Sequence, residues 1–327
     1  MVGDRPALTV LETRGQALEA VHPVSAVVFG PEGVVLRVGP DQATTWRSAA
    51  KPFQLEASLS LLSPASVAAL EARDLALGAA SHSAQSDHVR GVRSLMERLG
   101  VPEGALRCGG HPPGHPASAE ALVRSGSSPS PVHNNCSGKH TFMLAAQQAA
   151  GAPLADYLSA ASPIQRRIAA LVSELTGEPA STVVDGCSAP CFVLSLEGMA
   201  RAWAQLALAF AQPDSGPRHR IARALHAEPW WMSGDQRLDH DLVRAARAPL
   251  LSKVGAAGLL CLALPEQGLG VALKIATGSD AVRPVAAQAV LSRLAPDLVP
   301  EHPFTAHKQV RNVVGSEVGA RHAEWST

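Results

Sequence analysis

The apolar and polar positions along the first third of the chain predict a hairpin followed by helices and a strand. The segment 22–39 contains two β-rich runs on either side of a Pro-Glu-Gly turn, which is a hairpin pattern. From Lys51 onward the apolar residues recur at helical spacing. The short apolar run 74–81 is typical of a buried strand, and the segment 83–100 that follows has the pattern of a helix.

The rest of the chain predicts more helix and a second pair of strands. A stretch rich in Gly, Pro and Ser at 109–131 predicts a loop lying over a functional site, because motif-like residues flank it on both sides. Helical zones are predicted at 138–175 and 196–210, and two strands around a turn at 255–278. Strands and helices do not alternate strictly, which predicts an α/β or layered α+β fold with an antiparallel component. We expect one catalytic domain over 1–327, or two closely fused subdomains.

Composition narrows the classes of function. The 327 residues are 46% hydrophobic, and 28 Lys plus Arg balance 28 Asp plus Glu, so the chain lacks the basic face of a nucleic-acid or membrane-surface protein. The expected partner is a small molecule or a second copy of the chain. The sequence has no secretory signal pattern and no stretch of membrane-spanning length, which predicts a cytoplasmic protein. Five cysteines, an odd number, favour free thiols or metal ligands over a disulfide framework.

Lysine is scarce and therefore informative. Nearly all positive charge is carried by arginine, which stays protonated in proteins, whereas a buried lysine can lose its proton and act as a base or ligand. Three of the lysines lie in unusual local sequence and two do not. The five are Lys51, Lys139 and Lys253, followed by Lys274 and Lys308.

The first chemical motif is a Ser-x-x-Lys sequence. Pro52 is tolerated only in the first turn of a helix, which places Ser48 and Lys51 at or just before a helix N-terminus and on one face. In such an arrangement a lysine of lowered proton affinity takes the proton of a serine that attacks a carbonyl. Taken alone, the motif is more often a serine cap followed by a surface lysine.

A second motif, Ala-Ser-His-Ser, ends the apolar run. Small and polar residues at the end of a buried element are a common place for catalytic groups. Ser83 is expected to cap the following helix, which leaves Ser81 and His82 for chemistry.

Cysteine-containing motifs form a third group. Two thiolates from the segments 133–140 and 185–191, with an imidazole or a neutral lysine, could hold zinc and leave one position open. The spacing is not a standard zinc pattern, and buried free cysteine is the commoner explanation of such residues. A zinc nucleobase deaminase is excluded, because Cys191 is not followed by a second cysteine three positions later.

These motifs together resemble one family. The sequences RSAAKPFQ, ASHS, CGGHPP, HNNCSGKH, DGCSAP and SKVGAAG occur in the order found in the asparaginase II family, the rhizobial-type L-asparaginases. The resemblance extends over essentially the whole chain. It implies an architecture similar to serine β-lactamases and glutaminases, a homodimer, and hydrolysis of L-asparagine to L-aspartate and ammonia through an acyl-enzyme.

The resemblance also implies catalytic roles. Ser48 is the expected nucleophile and Lys51 its base, while Ser81 is expected to pair with Lys253. Lys274 is the weaker candidate for that second lysine.

Metal and substrate positions follow from the same resemblance. Zinc is expected on Cys136, Lys139 and Cys187, with Cys191 as an alternative ligand; a lysine ligand must be neutral. The substrate-binding residues are expected to be Arg47, Asn135, His140 and Asp185.

The sequence departs from the family pattern at two places, the segment 233–239 and Ala257. Substrate preference is therefore less fixed than reaction class. A serine hydrolase of glutaminase or β-lactam-reactive type and a catalytically silent zinc-binding protein are the alternatives.

Overall fold

The structure is a computed structural model that describes residues 6–213 and 216–326. The chain forms two compact units. Unit 1 combines the N-terminal segment up to Ala49 with Leu194–Leu208 and the C-terminal segment from Asp241. Unit 2 consists of Ala50–Val193 and Ala209–His240.

Eleven strands are present in the described residues. In chain order they are β1 Ala7–Arg14, β2 Ala17–Gly30, β3 Gly33–Val38, β4 Thr44–Thr45, β5 Ser181–Val184, β6 Pro190–Leu194, β7 Leu251–Val254, β8 Leu259–Leu264, β9 Leu269–Ile275, β10 Gln309–Arg311 and β11 Glu317–Ser326.

Thirteen α-helices are present in the same part of the chain, together with short 3-10 helices. The α-helices are α1 Lys51–Leu59, α2 Pro64–Ala68, α3 Ala72–Gly78, α4 Ser86–Arg98, α5 Pro116–Arg124, α6 Ser137–Ala149, α7 Pro163–Thr176, α8 Leu196–Ala211, α9 Pro217–Ala227, α10 Pro229–Ser233, α11 Leu238–Ala245, α12 Arg283–Leu294 and α13 His302–Lys308. The 3-10 helices are Arg47–Ala50, Glu103–Ala105, Pro131–His133 and Leu154–Asp156.

Unit 1 is built on an antiparallel sheet that joins both ends of the chain. Its strand order is β10-β11-β1-β2-β9-β8-β7, and β3 pairs with β2. All six residues of β8 are buried, so both faces of the sheet are covered there. Helix α12 packs on β1, β8 and β11.

Helix α8 approaches the sheet of unit 1 at a glycine. A Cβ at Gly270 of β9 would lie 2.1 Å from both the carbonyl oxygen of Ala200 and the amide nitrogen of Ala204. Real Cβ atoms do not come this close to backbone, so only glycine allows the observed distance between α8 and β9. The glycine thus determines how closely helix and sheet pack.

Unit 2 is mainly helical. Helix α1 packs against α6, α7 and α9, and α3 packs against α6, α9 and α10. The two strands β5 and β6 form a hairpin in which Val183 faces Cys191. Helix α6 is buried from Ser137 to Gln147, which makes it the central helix of this unit.

Most predicted elements are confirmed. The hairpin of β2 and β3 and the pair β8 and β9 lie where the sequence predicts them. Mixed helices and antiparallel sheet confirm the layered α+β class. The two end segments of the described chain form the sheet unit, and its middle forms the helical unit. None of the helices in the described residues is long and apolar enough to cross a membrane.

One predicted strand is wrong. The run 74–81 is not a strand, because it contains most of α3, which begins with a capping box between Glu71 and Asp74. Asp74 also accepts two hydrogen bonds from Arg98. A short apolar run has no periodicity that separates a buried helix from a buried strand, and here the capping residues decide for a helix. The Gly-Pro-Ser stretch, predicted as a loop, contains helix α5.

We expect Gly270→Ala to lower the free energy of unfolding by about 1–3 kcal/mol or more, because overpacking forces backbone apart. Gly104→Ala is the control: a Cβ there meets nothing within 4 Å. Thermal unfolding of both variants measures the effect. Equal stability of Gly270→Ala and the native chain would show that α8 yields without cost.

Candidate active site

Lys51, the lysine of the Ser-x-x-Lys motif, is completely buried. It begins α1, with Pro52 in the first turn as the sequence predicts, and it is 0% exposed. Its Nζ donates hydrogen bonds to the Ala80 carbonyl oxygen at 2.5 Å and to Ser81 Oγ at 2.9 Å. Burial lowers the pKa of Lys51, although the nearby Cys136 thiolate opposes that shift. Lys51 is thus a buried amine in contact with a serine hydroxyl.

The Ser81 segment is held in place by a neighbouring chain segment. Ser81 and Ser83 donate backbone hydrogen bonds to the carbonyls of Met232 and Ser233, at 2.9 and 3.0 Å. A Cβ at Gly234, whose φ is +102°, would lie 2.0 Å from Ser83 Oγ. The segment 233–239, where the sequence departs from the family pattern, therefore packs directly on the Ala-Ser-His-Ser motif.

His82 and Ser83 have structural roles. His82 Nδ1 accepts a hydrogen bond from the Ala84 amide at 3.2 Å, and its Nε2 lies 2.9 Å from Ser137 Oγ. Burial lowers the pKa of His82 well below its ordinary value. Ser83 Oγ donates to the Ser233 carbonyl, and Gln85 is the N-cap of α4, so the expectation that Ser83 caps this helix is wrong.

Ser48 and Arg47 lie in the 3-10 helix Arg47–Ala50, which runs directly into α1. Both side chains are partly exposed, and they belong to unit 1. Arg47 has φ +50°, a left-handed conformation that is uncommon for a residue with a side chain and that recurs at functional sites. Trp203 Nε1 donates to the Ala49 carbonyl at 3.3 Å and supports this turn.

The two candidates for the second catalytic lysine differ in environment. Lys253 lies on β7 and is 0% exposed, opposite Cys261 of β8. Lys274 Nζ binds the carbonyls of Ala257 and Ile275, at 2.5 and 2.9 Å, and so closes a loop. Burial favours Lys253, but Lys253 belongs to unit 1 and Ser81 to unit 2, so their pairing stays a prediction.

The start of α6 is organised by Asn134, a residue that sequence reasoning did not single out. Its Oδ1 accepts the Cys136 amide at 2.8 Å, and its Nδ2 donates to the carbonyls of Cys108 and Gly109. A Cβ at Gly138 would lie 2.2 Å from the Leu77 carbonyl oxygen, so α6 meets α3 closely at this glycine. An asparagine just before a helix is a capping signal, and this signal could have identified Asn134.

Two thiols and an amine meet at this helix start. Lys139 Nζ lies 3.1 Å from Cys187 Sγ, and all three side chains of Cys136, Lys139 and Cys187 are buried. The hydrogen bond from Cys187 lowers the pKa of Cys136 well below its ordinary value, and the same bond raises the pKa of Cys187. This shared hydrogen bond thus favours ionisation of Cys136 over ionisation of Cys187. Burial alone would lower the pKa of Lys139, but attraction to the two sulfurs outweighs burial and raises it.

The predicted substrate residues of unit 2 surround this cluster. Asn135 Oδ1 lies 2.9 Å from Cys136 Sγ, and Asp185 Oδ2 lies 3.8 Å from Cys187 Sγ. His140 is buried one turn after Cys136, and burial lowers its pKa to about 4. The structure thus brings together Cys136, Lys139 and Cys187 with Asn135, His140 and Asp185. It is Cys187, and not the alternative Cys191, whose sulfur accepts the hydrogen bond of Lys139.

The described residues contain no group of three His, Cys, Asp or Glu side chains placed to hold a metal. A metal at this cluster would therefore need Lys139 as its third donor. The buried Nε2 of His140 makes no hydrogen bond of ordinary geometry, although the Cys187 sulfur is close enough to influence the ring. Two sulfur donors and a buried amine form a donor set that suits zinc.

Comparison with known proteins decides the family. The model of the family described as L-asparaginase II matches residues 10–323. The chain belongs to the L-asparaginase II family.

Solved structures and curated sequences add little to this assignment. The chain is similar to the crystal structure of Mglu in its native form, with 17% identity, a TM-score of 0.46 and coverage of 83% of this chain and 63% of that chain. Mglu in its glutamate form gives 17% identity, a TM-score of 0.43 and coverage of 83% and 60%. The chain thus spans about three fifths of the length of these structures. No curated protein sequence gives a significant match.

The buried histidines of this L-asparaginase II family member make its stability depend on pH. Burial also lowers the pKa of His88, which stacks between His82 and Trp230. The unfolded chain, with histidine pKa near 6.5, takes up protons before the folded one does. The buried histidines therefore contribute fully to the free energy of unfolding above about pH 6.5. This contribution is lost as the pH falls below that value, by up to about 1.4 kcal/mol for each histidine and each pH unit.

We expect His82→Gln to flatten the fall in unfolding free energy between about pH 7 and pH 5, whatever its effect on absolute stability. Urea unfolding at several pH values measures the slope. His302→Gln, at an exposed histidine, is the control and should keep the native slope. An unchanged slope in His82→Gln would assign the acid sensitivity to other groups.

Proposed function

We propose that the protein is an L-asparaginase that hydrolyses L-asparagine to L-aspartate and ammonia through an acyl-enzyme on Ser48. The observation that supports the proposal most is the environment of Lys51. This lysine is buried, its pKa is lowered, it contacts a serine hydroxyl, and it begins the helix that continues directly from the turn carrying Ser48. A neutral amine so placed has the proton affinity that a general base needs.

The reaction has two stages. In the first, neutral Lys51 takes the proton of Ser48, the serine oxygen attacks the side-chain carboxamide carbon, and the C–N bond breaks as ammonia leaves with the proton returned by Lys51. In the second, water attacks the acyl ester, a base takes its proton, and aspartate is released with Ser48 restored. Backbone N–H groups at the start of the helical segment would stabilise the oxyanion in both stages.

Ser81 and Lys253 would complete the proton relay. Ser81 Oγ accepts a hydrogen bond from Lys51, so its own proton is free to point to another acceptor. The family resemblance assigns Lys253 as its partner, and the complete burial of Lys253 supports that assignment. In this scheme Ser81 keeps Lys51 oriented and exchanges protons with the second lysine.

Zinc would be held by Cys136, Lys139 and Cys187. The lowered pKa of Cys136 and the buried position of all three donors support this set, and Lys139 would have to lose its proton on binding. When bound, the metal would act as a Lewis acid that orients the substrate. The serine already provides the nucleophile, so no step of the reaction requires a metal-bound water.

The remaining assignments concern the substrate and the assembly. Arg47 would meet the substrate carboxylate, and Asn135, His140 and Asp185 are the other proposed substrate-binding residues. We also propose a homodimer in the cytoplasm. The five buried cysteines of the described chain are all free thiols, which suits a reducing compartment.

We expect Ser48→Ala to lower ammonia release from L-asparagine by about a thousandfold or more, because the nucleophile is removed. Release is measured with L-asparagine and L-glutamine in parallel. Ser83→Ala, in which the lost hydroxyl binds only a backbone carbonyl and a glutamine side chain, is the matched control and should keep most activity.

The same assay separates the alternatives. Faster turnover of glutamine than of asparagine would make the protein a glutaminase, and acylation by a β-lactam would point to a penicillin-recognising hydrolase. Activity that survives in Ser48→Ala but is lost in Ser81→Ala would transfer the nucleophile to Ser81. If the protein binds zinc but releases no ammonia from either amide, the alternative of a catalytically silent zinc-binding protein would be supported.

We expect one zinc per chain in the native protein, and almost none in Cys136→Ser or Cys187→Ser, because a hydroxyl is a poor substitute for a thiolate ligand. Elemental analysis after dialysis against zinc measures the content. Cys191→Ser is the control, since Cys191 lies on β6 and is not the thiol that contacts Lys139. If Cys191→Ser loses zinc and Cys187→Ser retains it, Cys191 would be the ligand in place of Cys187.

A further inference from the structure

The chain has a single tyrosine, and it is completely buried beside the cysteine cluster. Tyr157 follows the 3-10 helix Leu154–Asp156 and is 0% exposed. Its hydroxyl lies 2.7 Å from His140 Nδ1, and the two rings meet edge to face at 5.5 Å between centroids. The backbone amide of Arg107 donates to the same hydroxyl oxygen at 2.9 Å. A hydroxyl with two close partners has little freedom.

The protons at this hydroxyl can be counted. The Arg107 amide can only donate, so the phenolic oxygen accepts there. The phenolic hydrogen needs an acceptor, and within the described chain His140 Nδ1 is the remaining partner of this hydroxyl. If Nδ1 instead carried a proton and donated to the oxygen, the buried phenolic hydrogen would have no acceptor, which buried polar groups avoid. His140 Nδ1 is therefore unprotonated.

The other ring nitrogen must then carry the proton. In a neutral imidazole one nitrogen is a donor and the other an acceptor, so His140 Nε2 is an N–H. This atom is buried without a hydrogen bond of ordinary geometry, and the His140 ring interacts with the Cys187 side chain. An N–H aimed at a sulfur stabilises the thiolate form of that sulfur.

We propose that Tyr157 is a positioning residue that fixes His140 as the Nε2-protonated tautomer, so that the ring donates toward the Cys187 sulfur and does not bind a metal through Nε2. The tautomer stands on geometry alone; its effect on metal affinity rests on the zinc site of the proposed function. His140 thereby acts next to the cysteine cluster without binding the metal itself, and the hydrogen bond from Tyr157 holds its ring in one orientation.

The first test is nuclear magnetic resonance of the metal-free protein, with the ring ¹⁵N signals of His140 assigned by their loss in His140→Gln. We expect an unprotonated Nδ1 and a protonated Nε2 in the native protein, and a shift toward a tautomer mixture in Tyr157→Phe, which removes only the hydroxyl. Thr141→Val is the matched control: it removes a buried hydroxyl on the next residue that binds the Ser137 carbonyl and not the ring. A protonated Nδ1 in the native protein would overturn the proposal. Unchanged ¹⁵N signals in Tyr157→Phe would overturn it as well.

The second test is zinc affinity, measured by competition with a chromophoric chelator. We expect Tyr157→Phe to weaken zinc binding by about 10- to 100-fold, the range typical of outer partners of metal ligands, and Thr141→Val to leave it unchanged. If Tyr157→Phe and the native protein bind zinc with equal affinity, the proposed effect of the tautomer on zinc binding would be wrong. A native protein that shows the expected tautomer but releases no ammonia would contradict the proposed function and leave the assignment of Tyr157 standing.

Discussion

The burial of two lysine side chains within one helical unit is the constraint on which the site depends. Lys51 and Lys139 are both removed from water, and isolated charges in such surroundings are costly. The unit resolves the cost in two ways. Lys51 is drawn toward its neutral form and hydrogen-bonds a carbonyl and a serine, whereas attraction to the sulfurs of Cys136 and Cys187 favours the charged form of Lys139. Two lysines of one small region are thus separated into a base and a counter-ion by their neighbours alone.

The backbone around these lysines is correspondingly tight. Gly138 lets α6 approach α3, Asn134 fixes the amide of Cys136, and the backbone of Met232 and Ser233 holds the Ser81 segment. Each of these contacts places a functional side chain by constraining main chain and leaves the side chain itself free to react. The left-handed conformation of Arg47 extends the same principle to the turn that carries Ser48.

Local signals in the sequence predicted the parts of the site that depend on local structure. Pro52 placed Lys51 at a helix start, and the scarcity of lysine pointed to Lys51, Lys139 and Lys253, all of which are buried. The order of motifs identified the family, and the turn residues identified the β2–β3 hairpin.

Residues whose partners are distant in sequence were not predictable in this way. Tyr157 is 17 residues from His140 and 50 from Arg107, and nothing in its own surroundings indicates either contact. The run 74–81 was misassigned because burial by α6 and α9, and not periodicity, accounts for its apolar residues. Packing between distant parts of the chain determines the structure at such positions, and the local sequence pattern does not predict that packing.

The sheet that joins the two chain ends has a consequence for biosynthesis. Strands β1 and β2 precede unit 2 in the chain, whereas their partners β9 and β11 follow it and are made later. Until those partners are made, β1, β2 and β3 can pair only with one another, and they form a small sheet segment with open edges. Open strand edges of this kind are prone to pair with other chains. The growing chain is therefore open to aggregation and to chaperones at β1, β2 and β3 until β9 and β11 have been made.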